Sequence, residues 1–220
     1  MSAQRQGEGS RSRTQRDRRA GIPDGISLDL VIDWVRPRVS DRRFQHITGV
    51  VDVARQLAPA APCDPFLAEL AAWLHDACKE LKDKELVAMA ERYGLKPNRI
   101  ERAYGHLLHG PVAAAVVAEE LGVTNRDVLR AISQHTLGFV PMSNLSKVVY
   151  LADCLEEGRP RDYKDPIWMA LDLGGKNDLD HAIVVASDLG LKHLVSAGKP
   201  IHPRTVEVRN FYLDQVRHRM

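Results

Sequence analysis

Residues 71–80 read AAWLHDACKE and set a histidine and an aspartate side by side, His75 and Asp76, inside an apolar helical run. Leu67, Leu70, Ala71, Leu74 and Cys78 recur at helical spacing, so the run has a core-facing side. His75 follows Ala71 by four residues and precedes Cys78 by three, which points it at or near that core. Asp76 stands about 100° further round the helix. An ionised carboxylate there is costly unless something pairs with it. A bound metal cation satisfies both neighbours at once. For a lone His-Asp pair, a core histidine beside a helix-end aspartate is the better reading.

Working outward, two more anomalies bear on that choice. A helix capped by Ser40 and Asp41 carries Phe44, Ile47, Val51, Ala54 and Ala58 as one apolar stripe, and Val50, Val53 and Leu57 as a second. His46 lies in line with the second stripe and faces inward. Further on, KVVYLADCLEE places Asp153 late in an apolar helix. Aspartate is a poor mid-helix residue unless it has a use or reaches solvent. Alone, Asp153 is equally readable as a surface residue.

The rest of the chain is read as helices. Asp24 is expected to cap a helix over Ser27–Val35, closed by Pro37. A turn at Pro59–Pro65 leads into the His75 helix. Another helix, about Lys82–Tyr93, ends on Gly94. His109-Gly110-Pro111 opens a helix that stops at Gly122. Thr124 and Asp127 form a capping box for the next, with Val128, Ile132 and His135 on one face. HTLGFVPM reads as a loop. Leu179, Ala182, Ile183, Ala186 and Leu189 mark a long helix ending near Gly198, and Pro203 opens the last, Thr205–Val216. No stretch alternates with period two for long enough to make a strand. Gly174-Gly175-Lys176 is followed by Asn177 and lacks the P-loop hydroxyl and spacing. The expectation is an all-α, single-domain bundle over residues 22–220 with a disordered basic tail over residues 1–21.

Composition narrows the class. The chain has 220 residues, enough for a full core. Three cysteines, Cys63, Cys78 and Cys154, make neither a disulfide framework nor a C-x-x-C pair. No apolar run approaches the roughly 20 residues that span a bilayer, and no secretory signal opens the chain. A cytoplasmic protein with no membrane partner is expected. Residues 1–20 hold six arginines against Glu8 and Asp17, so the body is left with a net charge of −2 out of +2 overall. Such a tail could touch nucleic acid, but the body lacks the basic excess of a dedicated nucleic-acid binder.

His46, His75-Asp76 and Asp153 together make two imidazoles and two carboxylates from three predicted helices, in the order H…HD…D. A mixed nitrogen and oxygen set suits a first-row divalent metal with open positions rather than a closed structural zinc. This ordered set is the signature of the HD-domain phosphohydrolases. The chain further resembles the YqeK-type symmetrical diadenosine tetraphosphate hydrolases. The stretches that carry the likeness are RRFQHITGV, LAAWLHDACKE, HLLHGPVAA, ISQHTLG, KVVYLADCLEEGR and GKPIHPRTVEVRN, from about Asp41 to Asn210. The resemblance implies that His46, His75, Asp76 and Asp153 ligate iron or another first-row divalent metal. It implies a catalytic set of these four with Lys79 and His109. It also implies a dinucleoside polyphosphate site lined by Arg43, His46, Lys79, His109, His135, Thr136, Asp153 and Arg159, with Lys199, His202 and Arg204 closing over the nucleotide. A homodimer is compatible with it. Cys78 departs from the small or aromatic residue expected before the lysine.

Elementary chemistry agrees. Hydrolysis of a phosphoanhydride needs an activated water and cations around the phosphates, and a metal supplies the first. Lys79, three residues after Asp76, would share its helix face and reach phosphate. Arg159 could form a bidentate phosphate contact. His109, at a helix start, sits where the dipole favours an anion. His135 could bind phosphate or protonate a leaving group. Two other classes compete: a metal hydrolase of a different nucleotide, and a non-catalytic module that senses nucleotide or docks on RNA. The absence of a Gly-Tyr-Pro motif argues against the cyclic-dinucleotide branch. The intact ligand set argues against a dead scaffold.

Overall fold

A computed structural model describes residues 18–172 and 178–219. Among these residues there are eleven α-helices and no strand. In chain order they are α1 Leu28–Val35, α2 Asp41–Leu57, α3 Pro65–Leu74, α4 Asp83–Arg92, α5 Arg99–Ala103 and α6 His109–Leu121. There follow α7 Arg126–Gln134, α8 Asn144–Leu155, α9 Arg161–Asp172, α10 Leu179–Ser196 and α11 Pro203–Arg217. Short 3-10 turns at Arg36–Arg38 and Gly105–Leu108 follow α1 and precede α6. No helix among the described residues is long and apolar enough to cross a membrane.

Two helices make the centre. In α3 every residue from Leu67 to Leu74 except Glu69 is buried. In α8 the buried set is Leu145, Ser146, Val148–Ala152 and Leu155. A helix apolar on almost all sides belongs in a core. α3 packs against α1, α2, α7 and α8, and α8 against α2, α7 and α10. Leu70 and Leu74 are fully buried, and truncating such a leucine to alanine costs roughly 2–5 kcal/mol. The chemistry-bearing residues hang from the ends of this core.

Local sequence explains the boundaries. Asp64 caps α3 by accepting from Phe66 N–H at 2.9 Å, and Pro65 takes the first helical position. The helix stops at Leu74. His75 is its C-cap, and residues 75–80 form turns. His75 and Asp76 therefore follow the helix rather than sit inside it, and Lys79 reaches the same region through a turn, not through a shared helix face. Gly122 ends α6 with φ 65°, a left-handed conformation that glycine adopts without Cβ strain. At Gly110 an added Cβ would lie 2.9 Å from Ile132 O and 3.1 Å from His135 Cε1. The missing side chain lets the start of α6 press on the end of α7, which brings His109 to His135.

Some expectations are corrected. Ser27, not Asp24, caps α1 through Leu30 N–H. Asn125, not Thr124, caps α7 through Val128 N–H. Thr124 N–H instead donates to Gly21 O at 2.7 Å. Helices α5 and α9 go unread in the sequence. The first has only five residues. The second carries Pro166 inside and a buried Lys164, whose ammonium pairs with Glu157 at 2.9 Å. The expected basic tail lies outside the described residues up to Asp17, as does the Gly174–Lys176 stretch. Arg19 and Gly21 are docked on the body. Arg19 forms a two-pronged pair with Asp64, both contacts at 2.9 Å, and stacks its guanidinium 4.5 Å from the Phe66 ring centre.

Candidate active site

Four imidazoles meet where α2, the end of α3, the start of α6 and the end of α7 converge. Three share one device. His75 Nδ1 lies 2.6 Å from Ala72 O and His135 Nδ1 lies 2.8 Å from Ile132 O, while His109 Nδ1 makes the equivalent contact with His106 O. Each ring thus donates to the carbonyl three residues back, and in the neutral ring the Nε2 lone pair points to a common centre. His46 does the same with a carboxylate: its Nδ1 is 3.1 Å from Glu156 Oε1.

Asp76 is the hub. Its Oδ2 is 3.6 Å from both His46 Nε2 and His75 Nε2, and its Oδ1 is 3.1 Å from His109 Nε2 and 3.5 Å from His135 Nε2. Two groups therefore share one carboxylate: His46, His75 and Asp76, and Asp76, His109 and His135. Within each, ligand atoms lie within 4.8 Å of one another. Asp153, from α8, brings Oδ1 to 3.1 Å from His46 Nε2.

Burial decides the protonation states. It pushes His75 and His109 down to about 4, so both are neutral at pH 7. Burial also opposes the charged form of His46, but the adjacent carboxylates of Asp153 and Glu156 outweigh it and lift that group to about 9. Burial works against ionising Asp76 and Asp153 as well. The surrounding imidazoles, with Arg159 beside Asp153, nonetheless hold both carboxyls well below the usual range. Burial lowers Lys79 too.

Three cations stand against the three carboxylates Asp76, Asp153 and Glu156. Arg43 reaches Asp76 Oδ2 at 2.8 Å, and Arg159 reaches Asp153 Oδ1 at 2.6 Å and its backbone O at 2.9 Å. Lys79 Nζ lies 3.4 Å from His109 Nε2. Thr136 Oγ1 lies 3.1 Å from His109 Nε2 and 3.0 Å from His135 Nε2.

The donor set fits a metal. His46 Nε2 and His75 Nε2 are buried without an aligned hydrogen-bond partner. Unpaired buried polar atoms are costly, and here both face carboxylates. Neutral imidazole nitrogen with carboxylate oxygen is the donor mixture of first-row divalent ions. The second group makes a similar demand. His109 Nε2 and His135 Nε2 face each other at 2.9 Å, and two lone pairs at that spacing call for a shared proton or a cation between them.

The centre opens on a cavity of about 380 Å³ lined by Asp76, Lys79, His109, His135, Thr136 and Asp153, with Arg43 and Arg159. The HD domain family matches residues 43–158 of the chain. A symmetrical bis(5'-nucleosyl)-tetraphosphatase of Halalkalibacterium halodurans is 35% identical over 81% of this chain and 93% of its own. The chain belongs to the YqeK-type HD-domain hydrolases. A second relative of the same name, from Staphylococcus aureus, is 31% identical over 85% of this chain and 95% of its own. A crystal structure described as a predicted HD superfamily hydrolase involved in NAD metabolism, from Clostridium acetobutylicum, is similar with a TM-score of 0.80. It is 29% identical and covers 86% of this chain and 98% of that one.

Not every residue singled out in the sequence reaches the cavity of this HD-domain hydrolase. Lys199 is exposed, and Lys199, His202 and Arg204 are absent from its lining. His202 caps α11: its Nδ1 accepts from Arg204 N–H at 3.1 Å, and Asn98 Nδ2 meets its Nε2 at 2.9 Å. Arg204 stacks 5.6 Å from the Phe139 ring centre. Conversely, Glu156, Tyr150 and Tyr163 went unread and stand at the site, and His193, which without motif support reads as surface or structural, lines the cavity. Glu156 had one available signal, its place three residues after Asp153 at the end of an apolar helix. The adjacent Glu157 masked it by making the pair look like a solvated helix end.

Proposed function

We propose that this HD-domain hydrolase cleaves diadenosine tetraphosphate, a dinucleoside polyphosphate, symmetrically into two ADP. The observation that carries the reading is the convergence of the fully buried, unpartnered His75 Nε2 and His46 Nε2 on the carboxylates of Asp76 and Asp153 inside a ring of three cations. The names of the relatives supply the substrate class.

His46, His75, Asp76 and Asp153 would hold the metal, iron or another first-row divalent ion. Such an ion polarises phosphoryl oxygen and makes water a nucleophile at neutral pH. Before any metal enters, the three carboxylates face Arg43, Arg159, Lys79 and a protonated His46, whose proton a metal would displace. An added divalent ion leaves an excess of positive charge, which suits a polyphosphate anion. Arg43 and Arg159 would then turn from the carboxylates to phosphate oxygens, and Lys79 would add a third cationic contact. The cavity holds one nucleotide half. In the reaction, water oxygen bonds to an inner phosphorus, the central bridging P–O bond breaks, and the departing ADP keeps the electron pair. One water is consumed and a proton is released.

A second reading of His109 and His135 is favoured by their tautomers. An imidazole that donates through Nδ1 to backbone offers Nε2 as a ligand atom rather than as a donor to phosphate. Metal stoichiometry separates the two. One ion per chain leaves both for substrate, and two ions place the second among Asp76, His109 and His135. The activity itself is tested by product analysis. Purified protein with ferrous iron and diadenosine tetraphosphate should yield ADP alone. AMP plus ATP would mean asymmetric cleavage and overturn the proposal.

A further inference from the structure

A second, larger hollow of about 1,230 Å³ runs along α2 on the other side of the centre, toward the 156–160 turn and α9. It shares only Arg43 and Arg159 with the 380 Å³ cavity. The metal-site residues straddle this boundary. His46 and Glu156 line the groove, Asp76 and Asp153 line the cavity, and His46 Nε2 is 3.1 Å from Asp153 Oδ1.

We propose that the groove is the subsite for the second nucleoside of a two-headed substrate. One nucleoside diphosphate half occupies the cavity, the other half extends into the groove, and the scissile bridge lies between at the guanidiniums. The inference rests on the substrate reading above and assigns its second half a place.

Size is the first argument. Cavities that enclose a drug-sized ligand measure roughly 300–1,000 Å³. At about 380 Å³ the cavity suits one nucleoside diphosphate and not two. Donors are the second. Arg43 spends Nη1 on Asp76, while its Nε is buried with no partner. Arg43 itself lines both hollows, so its guanidinium stands where the phosphate chain would pass. Charge is the third. Apart from the two shared guanidiniums and the single cation Arg42, the charged groups of the groove are the carboxylates Asp41, Asp52, Glu80, Glu156 and Glu157. Carboxylates repel phosphate but accept from ribose hydroxyls, so the occupant among them is an uncharged nucleoside. The fourth is Trp168, a half-buried indole on α9 that lines the groove and offers a base a stacking surface.

The experiment compares Trp168→Ala and Gln45→Trp with the unaltered enzyme. Gln45 lines the groove at an exposed position, so a bulky residue there fills the subsite without touching the core. Two constants are read in metal-loaded enzyme: KM for diadenosine tetraphosphate, and the inhibition constant of ADP, which needs only the cavity. Loss of base stacking should raise KM roughly 5- to 150-fold. Gln45→Trp should raise it as well, with the ADP constant unchanged in both variants. Should Trp168→Ala fold poorly, Gln45→Trp decides alone. Unchanged KM, or equal increases in KM and the ADP constant, would overturn the subsite alone. Failure of the unaltered enzyme to give ADP alone would overturn the substrate reading and the subsite with it.

Discussion

Glu156 accepts from His46 Nδ1 at 3.1 Å and in the same carboxylate accepts from Gly158 N–H at 2.6 Å. The other three imidazoles of the centre are aimed by backbone carbonyls three residues back, whereas His46 is aimed by a residue 110 positions away. Gly49 and Gly158 close around it: an added Cβ would lie 3.2 Å and 2.9 Å from Glu156 Oε2. A carboxylate behind a ligating histidine fixes its tautomer and raises its basicity. Losing such a partner typically costs 10–100-fold in metal affinity. Glu156→Ala should therefore bind ferrous or manganous ion about 10–100-fold more weakly. Glu156→Gln, which can still accept from Nδ1–H, should recover part of it. Chelator competition on the purified proteins measures this without an assay of activity. Unaltered affinity in Glu156→Ala would show that His46 needs no such anchor.

Asp153→Ala should lose bound metal with helical content retained. Asp153 contributes a charged atom to the centre and no apolar surface to the core. Its removal also frees Arg159 Nη2, which now donates to Oδ1, while Nε keeps the backbone carbonyl of residue 153. The remaining His46, His75 and Asp76 would hold the ion with one carboxylate fewer. Elemental analysis beside circular dichroism tests the assignment. Full occupancy in the variant would take Asp153 out of the ligand set.

Much of this architecture was legible because apolar periodicity and helix punctuation agreed. The stripes on α2 placed His46 inward, and Pro111 and Gly122 bracketed α6 closely. What stayed hidden needed tertiary context. His75 is a C-cap whose Nδ1 takes up Ala72 O, and nothing in AAWLHDACKE distinguishes that from another helical turn. Glu156 matters only because α2 brings His46 to it. α9 hides behind Pro166 and a buried lysine whose counter-charge, Glu157, sits in the preceding turn. His202 looked like a nucleotide contact because the IHPRT stretch resembles a loop that closes over ligand. In the fold its ring is held by Asn98 and its own helix start.

Arg19 should stabilise the body in a pH-dependent way. Asp64 is buried, and burial opposes its charge. Its pair with Arg19 and the cap bond to Phe66 still hold the carboxyl below its ordinary value. A carboxyl depressed in the folded state adds stability above its unfolded pKa, roughly 3.9, and that gain disappears as pH falls through the lower folded value. Arg19 is itself more than a third exposed, so screening limits the effect, and Arg19→Ala should cost about 1 kcal/mol at pH 7. Urea melts of variant and parent at pH 7 and in strong acid check both size and sign. A deficit that persists undiminished in acid would mean Arg19 acts through its packing on Phe66.

Arg159 separates binding from chemistry. Its guanidinium lies on the wall between the two hollows and now neutralises Asp153. It touches no imidazole of the centre, so Arg159→Ala should leave metal content unchanged. What it loses is a charge-assisted contact to phosphate, roughly 1.5–3 kcal/mol. If that contact were equal in ground and transition states, KM would rise and kcat would hold. The central bridge breaks with negative charge moving onto the departing diphosphate, next to where Arg159 stands. A contact that strengthens with that charge lowers the barrier, and its loss lowers kcat. The expected result is a fall in kcat of about 10- to 100-fold, with weaker binding besides. Steady-state kinetics and metal analysis on one preparation decide it. Parental kcat and KM would remove Arg159 from the substrate path. Lost metal would make its pairing with Asp153 a support for the centre rather than a contact to phosphate.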